Sequence, residues 1–174
     1  GIWDCLNLFT EKPPKGSKNN FGLAAYRHWV KMLTQPKTRR SWAREFPPGR
    51  PMLAGLAGVF NDINCFGNIG FAERDLYADF LVEASTILGR PGLKEAAGIF
   101  RQSAQAWDQL GKALLPQEVP LLGEMGQLLL AQRDVMRQKG SEAVEELQQL
   151  KAKEQSLYQQ AESNFPFDEA EAEQ

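Results

Sequence analysis

His28 is the single histidine, and Cys5 and Cys65 are the two cysteines, of a 174-residue chain, so nucleophilic or metal chemistry has few places to sit. No Cys or acid stands one helical turn from His28, which leaves it without partners at ligand spacing. A Ser-His-Asp or Cys-His site would have to recruit His28 itself. Cys65 follows an apolar stretch and has no clear basic neighbour, so it reads as a buried, inert thiol. Two cysteines are too few for a disulfide framework, and reduced thiols in a cytoplasmic protein are the default. No metal site, cofactor or catalytic residue is expected from this inventory.

Binding chemistry has better candidates in Arg74, Tyr77 and Glu83. The planar fork of Arg74 suits a carboxylate or a phosphate. Its structural alternative is a pair with Glu83, Asp79 or a loop carbonyl. Tyr77 reads as core with its hydroxyl at the edge, or as a pocket residue beside Arg74. Gly67 and Gly70 precede a helix N-terminus, where an anion is favoured, although a plain turn explains them as well. Lys31, Lys37, Arg39, Arg40, Arg44 and Arg50 form a basic stretch with one acid, Glu45. It is either a solvated surface completing a helix C-terminus or a patch that steers an acidic partner, with Lys37, Arg39, Arg40 and Arg44 as the docking residues.

The elements that must position these groups are all helical. Leu76, Tyr77, Phe80, Leu81, Ala84, Ile87 and Leu88 recur at helical spacing and predict a buried central helix over residues 72–88. Gly67 and Gly70 bound it on one side, Gly89 to Gly92 on the other. Upstream, Ile2 to Phe9 predict a short amphipathic helix. Asn20 is a candidate N-cap for a helix that turns Leu23, Tyr26, Val30 and Leu33 inward. Trp42 and Phe46 anchor a short helix, and Leu53 to Ile63 form another whose small residues allow close packing. Leu93 to Leu114, Leu121 to Met136 and Val144 to Ala161 mark three more, the last two joined by a Gly-Ser turn as a hairpin. Alternating β-branched runs are absent. The expected fold is an all-α, orthogonal or antiparallel bundle of about six to eight helices ending in a long hairpin. Residues 1–162 would form the helical domain and 163–174 an acidic, frayed tail, with Phe165 and Phe167 able to tuck onto the bundle.

The formal charge of −2 conceals this acidic end. Without it the chain is slightly positive, too little to argue for nucleic acid. No apolar run reaches transmembrane length and no signal-peptide pattern opens the chain. A first residue of Gly rather than Met fits an excised domain or a proteolytic product.

One ordered set of residues resembles a known family. Gly22 with Trp29, then Ser41-Trp42, then Arg74-Asp75-Leu76-Tyr77-Ala78-Asp79-Phe80-Leu81-Val82-Glu83-Ala84, then Trp107 before Leu110, is similar to the helical C-terminal region of butirosin biosynthesis protein H-like proteins. The likeness spans roughly residues 1–155. It implies a papain-like N-terminal half, carrying a catalytic Cys, that is missing from this chain. In the type member that half moves an acyl group from an acyl carrier protein to an aminoglycoside amine. The helical region has no assigned role, so no catalytic residue carries over. The implied function is an accessory domain that shapes the substrate cleft, holds an oligomer or docks the acidic carrier. Its partners would be the catalytic half, the carrier protein and further copies of itself. The alternatives are a stand-alone interaction module and a helical small-molecule binder with Arg74 and Tyr77 in its pocket.

Overall fold

The computed structural model describes residues 2–11, 14–65 and 73–168. Eight α-helices follow in order: α1 (Ile2–Thr10), α2 (Gly22–Thr34), α3 (Trp42–Glu45), α4 (Arg50–Asn64), α5 (Arg74–Leu88), α6 (Gly92–Leu114), α7 (Pro120–Lys139) and α8 (Val144–Ser163). A 3-10 turn over Gly140–Ala143 joins the last two. No strand occurs among the described residues. The fold is therefore the expected all-α bundle, closed by an α7–α8 hairpin. Proline and glycine set the boundaries. Proline stands in the first turn of α4 and of α7, where its missing N–H costs no helical bond. Gly89 ends α5 in the left-handed conformation.

The core sits on α4, α7 and α8. Leu53, Ala57 and Phe60 of α4 meet Leu122, Met125 and Leu129 of α7 and Leu157 and Ala161 of α8. Gly55 lets the Phe46 ring lie flat on α4, since a Cβ there would stand 2.7 Å from its Cδ1. Phe165 and Phe167 pack on this core with their rings edge to face, so the start of the acidic tail is laid down; residues 169–174 lie outside the described residues. A charge is also buried here. Glu154 is 5% exposed and accepts hydrogen bonds from Gln132 Nε2 (2.9 Å) and Lys151 Nζ (2.9 Å).

Three expectations are corrected. The helix over Arg74–Leu88 forms but is not central. It packs chiefly on α6, through a small separate core of Ala78, Leu81 and Ala97. Leu76, Phe80 and Ile87 face outward, 56%, 55% and 72% exposed. Periodicity measures how wide an apolar arc is, not how many neighbours cover it. The inward residues predicted for α2 are also largely open: Leu23, Tyr26, Val30 and Leu33 are all exposed. Asn20 does not cap α2. The N-cap is Phe21, and Asn20 N–H instead donates to the Ser17 carbonyl in the preceding turn. No described helix is long and apolar enough to cross a membrane.

Candidate functional site

A cleft of about 360 Å³ opens where α2, α4, α6 and the start of α5 meet. Tyr26 and Trp29 enter from α2, Val59, Asp62 and Ile63 from α4, Arg74 from α5 and Trp107 from α6. Its volume lies in the range of small-molecule sites, and its mainly apolar, aromatic lining with a few polar groups fits that class.

Each residue arrives there for a local reason. Trp107 lies beside the narrow seam of Ala104 and Gly111 that α6 buries. Small residues on that seam bring the helix in closely and leave the indole at the edge. Tyr26 reaches across from α2, with ring centroids 6.0 Å apart. Arg74 opens α5, an electrostatically poor place for a cation because the helix dipole is positive at that end. Its guanidinium carbon lies 5.3 Å from the Trp107 ring centre. That cation–π contact is worth about 0.5–1 kcal/mol or more when partly desolvated and offsets the dipole. Asp62 is exposed at the rim and forms no ion pair among the described residues.

Two other cavities have polar walls whose groups bond one another. One of about 390 Å³ lies between α4, α6 and α7. There Lys112 pairs with Asp108 at 2.7 Å and Asn64 donates to the Phe60 carbonyl. An open groove of about 530 Å³ along α7 and α8 holds Cys65, Gln132, Arg133 and Lys151. Arg133 there bonds Asp134 and the Asn64 carbonyl, while Gln132 and Lys151 are taken by Glu154. Cys65 Sγ lies 3.7 Å from the Leu129 carbonyl, and burial pushes its thiol above the ordinary range, with Arg133 opposing and Asp134 adding to the shift. A thiol held protonated is a poor nucleophile.

Of the three binding candidates from sequence, Arg74 alone lines the aromatic cleft. Tyr77 instead meets the Phe100 ring edge to face at 4.7 Å and lies tilted beside Phe80 at 5.7 Å. Glu83 projects from the exposed side of α5. Gly67 and Gly70 lie outside the described residues. Lys37, Arg39, Arg40 and Arg44 are exposed and form no ion pair among the described residues. Arg50 is used structurally, paired with Glu162 at 2.7 Å and set over the Tyr158 ring. Tyr26 and Asp62 carry no local signal that would single them out. Trp29 had one, as an aromatic on the flank of its helix, while Trp107 read as one of the apolar residues of α6. Among known proteins, no family model, no curated sequence and no solved structure matches the chain. His, Cys, Asp and Glu do not gather into a metal-binding group among the described residues.

Proposed function

We propose that this chain is the non-catalytic helical domain of an acyltransferase or papain-like enzyme of the butirosin biosynthesis protein H-like kind. Its aromatic cleft would form one wall of the substrate site. The observation that carries the reading is the meeting of Trp29, Arg74 and Trp107 in one cleft. They come from three different helices, and all three belong to the pattern on which the family resemblance rests. Side chains kept only for packing need not converge; side chains that share a ligand must. Bond making belongs to the catalytic half. This domain contributes ring faces that bind the apolar body of a substrate and, in Arg74 and Asp62, one charge of each sign to orient it. With the catalytic half joined to it, Trp107→Ala and Trp29→Ala should raise KM for the acyl acceptor and leave kcat nearly unchanged, the signature of lost uniform binding. Unchanged KM in both variants overturns the reading, as does thioester or peptide turnover by these 174 residues alone.

A second role rests on a separate observation. Lys37, Arg39, Arg40 and Arg44 are exposed with no ion pair among the described residues, as a patch for an acidic carrier protein would be. Surface attraction of this kind is screened by salt. Titration against an acyl carrier protein should show binding at low salt that fades at high salt, and no binding at either removes this role.

A further inference from the structure

Large apolar side chains stand exposed along a face of α5 and a face of α2. At 100° per residue, Leu76, Phe80 and Ile87 fall within an arc of about 40°, opposite the buried Ala78 and Ser85. Glu83, Asp79 and Asp75 run along one edge of that arc. On α2, Leu23, Val30 and Leu33 share an arc of about 80°, and all three are exposed. Arg27 and Lys31 run along one edge of it. One helix thus presents an open apolar stripe with an acidic border, the other an open apolar stripe with a basic border. Arg101 already pairs with Asp79 at 2.7 Å and lies 3.7 Å from Asp75. Glu83, Arg27 and Lys31 form no ion pair among the described residues.

We infer that a second copy of this chain covers these faces, with α5 of one protomer laid on α2 of its partner. The two stripes fit each other in polarity and in border charge, and each chain carries both halves of the contact. A two-fold arrangement then uses the pair twice and closes. Glu83 meets Arg27 and Lys31 at the border, which gives the contact its register. Tyr26 falls within the same α2 arc and also lines the aromatic cleft, so the contact borders that site.

The test is sedimentation equilibrium of the whole chain, with helix content checked by circular dichroism. Every substituted residue is exposed, so each variant should keep the helix content of wild type. Wild type should be a dimer at about 50 μM, and Phe80→Glu and Val30→Glu should each weaken association about thirtyfold or more, as loss of a central anchor does. An equimolar mixture of the two variants should regain dimer, because one intact α5 stripe then meets one intact α2 stripe. Glu83→Lys should weaken association, and adding Arg27→Glu and Lys31→Glu should restore it. A monomeric wild type at this concentration overturns the inference and leaves the faces to another partner. So does a dimer that survives Phe80→Glu or Val30→Glu, or a mixture that stays monomeric.

Discussion

Replacing Trp107 with alanine tests whether the aromatic cleft is part of the framework that holds the molecule together. The indole is mostly buried. A side chain of that size removes about 130–150 Å² from water, worth about 3.3–3.8 kcal/mol at 25 cal/mol per Å². A compact unfolded state trims this to about 2–2.5 kcal/mol. The Tyr26 ring contact at 6.0 Å adds about 0.5–1 kcal/mol, and the Arg74 contact at 5.3 Å about 0.5 kcal/mol or more. The loss should therefore be roughly 3 kcal/mol, or about 6–12 °C in Tm for a chain of this length. Urea unfolding followed by circular dichroism measures it without depending on tryptophan emission. Trp107→Phe keeps a ring for Tyr26 and should lose about 1 kcal/mol. Tyr26 is also the ring through which α2 touches α6. In Trp107→Ala, trypsin should therefore cut faster at Lys37, Arg39, Arg40 and Arg44, beyond the freed end of α2. A loss under about 1 kcal/mol, with unchanged cleavage, would refute the claim that this cleft ties the N-terminal helices to the body.

Other outcomes follow from single contacts. Glu154→Ala leaves Gln132 Nε2 without its acceptor and should cost about 2–3 kcal/mol in urea unfolding, whereas Glu154→Leu with Gln132→Leu should stay within about 1 kcal/mol of wild type. Ser41 is fully buried, and its Oγ has no hydrogen-bond partner among the described residues; Ser41→Ala should be neutral or stabilise by up to about 1 kcal/mol, and a clear loss would show that the hydroxyl is satisfied. Burial raises both the Cys65 thiol and the Tyr158 phenol, so the folded chain holds these protons more tightly than the unfolded chain. Stability is then full at neutral pH and falls as pH rises past the ordinary thiol value. Unfolding midpoints at neutral and alkaline pH should show the fall, and Cys65→Val should lessen it. In the native protein a thiol reagent should label the exposed Cys5 well before Cys65.

Helix number and limits were legible because their signals are local. Pro51, Gly89, Pro120 and Gly140 act on their own turns, whatever lies across from them. The burial of Leu157 and Ala161 was legible for a similar reason, since α8 has one partner face and shows it. The outward turn of Leu76, Phe80 and Ile87 was not. Their spacing is the same whether α5 lies between two neighbours or against one. Glu154 left a readable trace, falling in register with Leu150 and Leu157 on the apolar side of α8, as Gln132 does beside Leu128 on α7. The cleft was half visible: Arg74 stood out because its planar fork suits a carboxylate or phosphate, while Asp62 and Tyr26 became neighbours only through the crossing of α2, α4 and α6.

The position of the cleft follows from how burial is distributed. The large side chains of α4, α7 and α8 interlock, which makes that layer the rigid part of the molecule. The α5–α6 pair has a core of only Ala78, Leu81 and Ala97, and the large apolar residues of α1 and α2 are mostly open. Segments with so few buried apolar contacts open at lower cost than the core. α6 belongs to both parts, packing on α4 along one face and α5 along another. The aromatic cleft lies on this seam, with Val59 and Ile63 supplied by the rigid layer and Tyr26, Trp29 and Arg74 by the loosely held one. A ligand or partner seated there would bind the two parts together. By linkage it would then stabilise the N-terminal helices more than the core. A pocket buried wholly inside α4, α7 and α8 would have no such leverage, because its walls are already fixed by one another.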